Sequence, residues 1–138
     1  MSVFSIAVFN RMNTDATLTD LLATYNANPA IFTSMPIPDD ADLPYIVTEG
    51  EVSNSPYDFK GSGGREIVRD IRCYTDNTGS SALVESIAER VRALFHDYAM
   101  SVTGFDDAMI MNASVGMAPE ETDVSGRIVT ITFNIMES

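Results

Sequence analysis

The sequence predicts a single α+β domain, in which a sheet of about four mostly antiparallel strands packs against one long helix and an N-terminal helix. Three observations carry this prediction. An apolar stripe with helical spacing runs through residues 81–98, residues 126–136 alternate between apolar and polar, and the predicted order is helices, two strands, a long helix and two strands. The simplest fold for this order is an antiparallel sheet backed by the helices, an α+β domain. At 138 residues the chain is expected to form one domain.

Two helices are predicted at the start of the chain. In residues 2–13, apolar side chains recur with the three-and-four spacing of one helix face, at Phe4, Ala7, Val8 and Met12. Ser2 is available as the N-cap of this helix. A second helix is predicted over residues 18–25, because Thr17 and Asp20 have the spacing of a capping box.

A proline-rich stretch, residues 26–44, separates these helices from the first strand. It contains four of the six prolines, so it cannot be regular structure throughout. We expect Ile31 and Phe32 to fix it to the core. The first strand is predicted over residues 43–53.

The second strand is predicted over residues 65–76, and the glycine-rich residues 53–64 between the two strands should form a flexible hairpin arm. Alternation places Ile67, Arg69, Ile71 and Cys73 on one face of the second strand. It places Val68, Asp70, Arg72 and Tyr74 on the other. Because each face mixes charged and apolar side chains, we expect this strand to contact other structure on both sides.

The long helix over residues 81–98 is the clearest element, with Ser80 or Ser81 as its N-cap after the turn DNTG. Its apolar stripe consists of Leu83, Val84, Ile87, Ala88, Val91, Leu94, Phe95 and Tyr98. Two more strands are predicted, at residues 108–117 and 126–136. In the last strand Val129, Ile131, Phe133 and Ile135 should face the core.

The charge and composition of the chain argue against several classes of function. The formal net charge is −12 at pH 7, with 8 basic and 20 acidic residues, whereas proteins that grip DNA phosphates need clustered Lys and Arg. No apolar run is long enough for a membrane span, and a secretory signal is not expected. The single cysteine, Cys73, predicts a buried thiol and no disulfide within one chain.

No residue pattern indicates catalysis, a metal or a cofactor. The single histidine, His96, lies near the end of the long helix, where a cation suits the helix dipole. The acidic groups at residues 39–42 and 106–107 lack the spacing of a calcium loop. The glycines of GSGG (61–64) precede a strand, whereas a phosphate-binding loop opens a helix.

The order and spacing of these segments resemble the tail completion, or tail terminator, proteins of long-tailed bacteriophages and related tail-like particles. The resemblance covers nearly the whole chain. It is carried by the strand LPYIV, the strand REIVRDIRCY and the helix ALVESIAERVRALF that follows it, with GRIVTITFNIM near the end. The family usually has an apolar residue where this chain has Arg69.

The resemblance implies a structural virion protein with no catalytic residue and no cofactor. It implies a homo-oligomeric ring, typically of six copies, that ends polymerisation of the tail tube and joins the tail to the head-neck connector. Its partners would be the major tail tube protein and a head-completion or stopper protein. Genomic DNA would pass through an acidic lumen without specific binding. The protein would belong to the tail or neck of the virion, after assembly in the host cytoplasm.

Six residues are interface candidates in such a ring: Tyr57, Phe59, Lys60, Arg65, Arg69 and Arg72. We expect Tyr57 and Phe59 to anchor the arm on a partner, and Lys60 and Arg65 to meet acids there. We expect Arg69 to lie at a subunit contact or to pair with an acid of the long helix, Glu85 or Glu89.

Three other functions remain open from the sequence. The chain could be another head–tail neck protein, such as the head-closure stopper. It could also be a small cellular α+β domain that binds a ligand as a dimer, or an enzyme of an unrecognised kind. A ring in solution or on tail tubes would favour the tail function, and a dimer with a deep pocket would favour the ligand-binding domain.

Overall fold

The computed structural model describes residues 3–34, 37–59, 62–76, 79–96, 98–100, 105–117 and 124–137. Within these ranges the helices are α1 (Val3–Asn13), α2 (Ala16–Thr19) and α3 (Ala82–Phe95). The long strands are β4 (Tyr45–Phe59), β5 (Ser62–Asp76), β7 (Phe105–Met117) and β8 (Val124–Glu137). Four two-residue strands accompany them: β1 (Thr24–Tyr25), β2 (Asn28–Pro29), β3 (Ile31–Phe32) and β6 (Ala99–Met100).

Six strands form one sheet in the order β3-β4-β5-β8-β7-β6. The four long strands pair antiparallel, as predicted, and a short strand is added at each edge: β3 runs parallel to β4, and β6 runs antiparallel to β7. The central β5–β8 pairing is continuous from Gly64 to Asp76, whereas β4 and β7 each contain two register shifts. The predicted α+β class is therefore confirmed.

The hydrophobic core lies between the sheet and the helices α1 and α3. We call the covered side of the sheet the helix face; on β5 and β8 it consists of the buried residues Ile67, Arg69, Ile71, Cys73, Val129, Ile131 and Phe133. Phe4 of α1 contacts Phe133, with 6.1 Å between the ring centroids. The buried side chains of α3 are Val84, Ile87, Ala88, Val91, Leu94 and Phe95, all from the predicted stripe. Ile31 is also buried, and it therefore fixes the proline-rich stretch to the core as expected.

The short second helix differs from its prediction. It begins after Asp15, whose carboxylate accepts the Leu18 backbone N–H at 2.9 Å, and it ends at Thr19 rather than continuing to residue 25. Thr17 therefore lies inside the helix and is not its cap. The carboxylate at residue 15 is also held by Arg90, a partner too distant in sequence for the capping-box pattern to reveal.

The predicted hairpin arm contains more strand than expected. Strands β4 and β5 continue to Phe59 and Ser62, which are register partners, so most of residues 53–64 belongs to paired strands. Pro56 is compatible with β4 because this part of the strand lies at the edge of the sheet. Lys60 and Gly61 lie outside the described residues. Flexibility of the arm stays a prediction.

The end caps of α3 largely agree with the sequence. The Ser80 hydroxyl accepts the Ala82 backbone N–H at 3.2 Å, while Ser81 occupies the N-cap position. His96 is the C-cap residue, and its backbone N–H donates to the Arg92 carbonyl at 2.8 Å. Among the helices that the structure describes, none is both long and apolar enough to cross a membrane.

Candidate assembly interface

The six predicted interface residues do not form one patch. Arg69 is buried on the helix face of β5, while Arg72 is exposed on the opposite face of the same strand. Tyr57, Phe59 and Arg65 lie in the β4–β5 hairpin, for which the structure gives the backbone and the pairing. The position of Lys60 lies outside the described residues. The sheet therefore separates side chains that the sequence placed in one group.

Arg69 is an internal residue, with 2% of its surface exposed. Its Nη2 donates to the Ser5 hydroxyl of α1 at 2.8 Å and to the Thr48 carbonyl of β4 at 3.3 Å. The acids that we expected beside it contact other arginines: Glu85 lies 3.5 Å from Arg127, and Glu89 lies 3.9 Å from Arg92. Because its surface is covered within one chain, Arg69 is not available for direct contact with another folded subunit.

Thr48 beside Arg69 carries an unusual hydroxyl. The residue is 2% exposed, and its Oγ1 has no hydrogen-bond partner among the described residues. A buried hydroxyl without a partner destabilises a fold, because its interaction with water is lost and not replaced. The polar site under α1 therefore combines a hydrogen-bonded guanidinium with a neighbouring group that is not satisfied.

The side of the sheet opposite the helices offers a broad polar surface. We call it the open face; its described side chains on β5 and β8 are Glu66, Val68, Asp70, Arg72, Tyr74, Ile128, Thr130, Thr132 and Asn134. All nine are exposed or half-buried, although both strands are central in the sheet. The Thr130 hydroxyl donates to the Asp70 carboxylate at 2.8 Å. Because Glu66 and Asp70 outnumber Arg72, this set of nine is net acidic.

A row of aromatic rings crosses one end of the sheet. Tyr25 packs on Phe32, Phe32 on Tyr45, and Tyr45 on Tyr74, with ring centroids 5.5, 5.8 and 5.7 Å apart. The Tyr25 hydroxyl donates to Asp40 at 2.9 Å, and this hydrogen bond raises the pKa of Tyr25. Sequence reasoning missed the row, because its members come from four separate segments and no local spacing connects them.

An open groove of about 480 Å³ lies beside this row, lined by Phe9, Asn13, Tyr25, Asn26, Asn28, Pro29, Ile31, Phe32 and Pro38. The described residues of its lining carry apolar, amide and phenol groups and no charged side chain. Across the part of the chain that the structure describes, no three His, Cys, Asp or Glu side chains are grouped so as to hold a metal ion. The described geometry therefore offers surfaces for contact with other proteins.

Two charged contacts fix the helices to one another. Arg90 of α3 makes a two-pronged contact with Asp15, in which Nε and Nη2 lie 2.9 and 2.7 Å from the carboxylate oxygens. The Arg90 hydrogen bond lowers the pKa of the Asp15 carboxyl. Arg11 of α1 donates to the Leu94 carbonyl at 3.2 Å and lies 3.8 Å above the Tyr98 ring. These contacts stabilise the helix layer behind the sheet.

Comparison with known proteins places this fold among virion components. The family model described as tail completion protein gp17 matches residues 6–136. Among solved structures, a chain from the "virion of native gene transfer agent (GTA) particle" has a TM-score of 0.72 with this chain at 20% sequence identity. The alignment covers 97% of this chain and 94% of that one, so the two share a fold over nearly their whole lengths. No curated protein matches this chain.

Proposed function

Because this chain belongs to the tail completion protein gp17 family, and is therefore a structural tail protein, we propose that its copies form a ring on the end of the assembled tail tube. The family match over residues 6–136 is the observation that carries the proposal. The shared fold with a chain of a gene transfer agent virion supports a place inside a particle rather than a cellular ligand-binding role.

The ring ends polymerisation by covering the surface to which the next tube subunits would add. We infer six copies from the family resemblance, joined by one repeated head-to-tail interface that closes on itself. One side of the ring binds the major tail tube protein. The other side presents a surface to the head-completion or stopper protein of the neck. The protein thus belongs to the virion and is assembled in the host cytoplasm.

The charge of the chain suits a lumen through which DNA must pass. Double-stranded DNA carries one negative charge per about 1.7 Å of its axis, so an acidic wall offers it no sites of attachment. The formal net charge of −12 and the acidic balance of the nine open-face side chains both support this role. Arg72 on that face remains an interface candidate.

The experiment that tests the proposed function is deletion of the gene in cells that produce the particles, followed by electron microscopy. We expect tail tubes that lack a terminal ring and heads that are not joined to them, and supply of the chain from a plasmid should restore both features. Particles with joined tails of normal length in the deletion strain would refute the proposal.

The tip of the β4–β5 hairpin is the proposed docking arm on a tube or neck partner. Replacement of residues 56–62 by a short Gly/Ser linker should leave the melting temperature nearly unchanged and block the joining of heads to tails, because it removes the two proposed anchors. The control is the double substitution Tyr57→Ser and Phe59→Ser, which keeps the length of the hairpin and removes only the aromatic rings. Normal joining by both variants would place the docking surface elsewhere.

A further inference from the structure

We propose that neighbouring copies in the ring join edge to edge, with residues 49–55 of β4 in one copy pairing antiparallel with residues 110–116 of β7 in the next. This inference rests on the proposed ring and names the surface that forms it. The observation behind it is that the short strands β3 and β6 cover only part of the two sheet edges. The short strand β3 pairs only with Ile46 and Val47 of β4, and β6 pairs only with Ala108 and Met109 of β7.

Beyond these contacts, both edge strands continue without a partner among the described residues. Thr48 is buried and its carbonyl accepts from Arg69, so the uncovered stretch of β4 begins at residue 49. It runs to Pro56, which has no N–H to offer a neighbour. On β7 the uncovered stretch runs from Ile110 to the end of the strand at Met117. Seven residues of each edge can therefore pair (49 to 55 and 110 to 116). Unpaired backbone N–H and C=O groups at a sheet edge form a template for another strand.

The directions of the strands favour a ring over a two-fold dimer. β4 and β8 run in one direction and β5 and β7 in the other, because each neighbouring pair is antiparallel. When a second copy is placed beside the first in the same orientation, its β7 meets β4 antiparallel and continues the alternation of the sheet. The surfaces in contact are different, so the interface is heterologous and repeats around a closed ring.

The two short edge strands also set a stagger between copies. Ile46 of β4 lies in the same row of the sheet as Met117 of β7, through Cys73 and Arg127. Because β3 occupies the β4 edge as far as Val47 and Thr48 is buried, the neighbouring β7 must shift along β4 until Gly116 lies opposite residue 49. A closed sheet needs a stagger of this kind. The register shifts of β4 and β7 add the local bending that closure requires.

Such a ring has the right size for its proposed role. Four long strands from each of six copies, spaced about 4.8 Å apart, close on a circumference of about 115 Å and a diameter of about 37 Å. This opening admits a DNA duplex, whereas eight strands from two copies would leave an interior that side chains fill. Helices α1 and α3 cover the helix face, so the open face with Glu66 and Asp70 would line the lumen.

The test combines a backbone substitution with disulfide cross-linking. If the nitrogen of Pro56 points away from β5, alternation along the strand also directs the Asn54 N–H outward. Asn54→Pro should then keep the melting temperature within about 5 °C and abolish rings on tube ends, because proline removes the donor and its ring obstructs pairing. The matched control Asn54→Ala keeps the N–H and should form rings.

Pairing of residue 49 with Gly116 places Ser53 of one copy opposite Asn112 of the next, which identifies the strands in contact. Particles assembled from a mixture of Ser53→Cys and Asn112→Cys chains should give a cross-linked dimer upon oxidation, and neither variant alone should do so. Cys73 does not interfere, because its thiol is buried and burial raises its pKa to about 12.

The outcomes distinguish failure of the proposed interface from failure of the proposed function. Cross-links between Ser53→Cys chains alone would show a two-fold β4–β4 contact and overturn the inference. Rings that form normally with Asn54→Pro and give no Ser53–Asn112 cross-link would also overturn it, while the proposed function would stand. Absence of a wild-type ring from the tube ends would overturn both proposals.

Discussion

Substitution of Arg69 tests whether a buried cation fixes α1 to the sheet. Its guanidinium donates to Ser5 and to the Thr48 carbonyl, and a hydrogen bond to a charged group contributes about 1.5–3 kcal/mol. Truncation to alanine also leaves a cavity between the helix and the sheet, which adds to the loss. We therefore expect Arg69→Ala to lower the free energy of unfolding by about 3–5 kcal/mol, a large part of the 5–15 kcal/mol typical of a domain.

The measurement is urea unfolding followed by circular dichroism, supported by thermal melting, where this loss corresponds to a fall of roughly 10 °C or more. The matched control is Arg72→Ala, on the same strand and exposed on the open face, which should stay within about 0.5 kcal/mol of the wild type. Arg69→Met keeps an apolar chain in the site and should cost less than Arg69→Ala, since methionine carries no charge to desolvate. Equal stabilities of Arg69→Ala, Arg72→Ala and the wild type would refute the burial argument.

Three single side chains give further predictions. Thr48→Val should raise the free energy of unfolding by up to about 1 kcal/mol, because it replaces an unsatisfied buried hydroxyl with a methyl group, and lower stability in urea would contradict this. Asp15→Ala should cost about 1 kcal/mol through loss of the α2 cap. The pKa of Asp15 is lowered from 3.8 in the folded state, so its ionised form stabilises the fold above pH 3.8, and this stabilisation is lost as the pH falls through the folded-state pKa. Asp15→Asn should remove this pH dependence from acid unfolding. An acid-unfolding curve identical to that of the wild type would contradict the prediction. Cys73, buried and with a pKa of about 12, should react with a thiol reagent at pH 8 only as fast as the protein unfolds, and rapid labelling of the native chain would show that the strand opens locally.

The features that the sequence predicted well are those with a local period. The stripe of α3 and the alternation of β5 and β8 repeat within a few residues, so the helix, the strands and their core faces could be identified in isolation. The strands β3 and β6 could not be predicted, because two residues are too short to show any period. Their effect on the sheet is nevertheless large, since they decide which parts of the two edges remain uncovered.

The features that escaped prediction depend on partners far away in sequence. Asp15 caps α2 while it contacts Arg90, which lies 75 residues further along the chain. Arg69 is buried because Ser5, 64 residues away, supplies a hydroxyl from α1. Neither pair falls within the short stretch of sequence over which a helix or strand pattern can be recognised. A buried charge that breaks a local pattern is therefore informative mainly as a sign that such a distant partner exists.

The basic residues of β5 are close in sequence but have different structural roles, because the strand places them on different faces of the sheet. Arg69 and Arg72 are three residues apart, and an odd separation along a strand places two side chains on opposite faces. The first is enclosed by α1 and β4, so its substitution should affect folding before it affects assembly. The second lies on the open face beside Asp70 and Thr130, so its substitution should leave folding intact and alter only contacts made by the assembled ring. A variant that loses ring formation at an unchanged melting temperature thus belongs on an uncovered edge or at the hairpin tip, and not in the core.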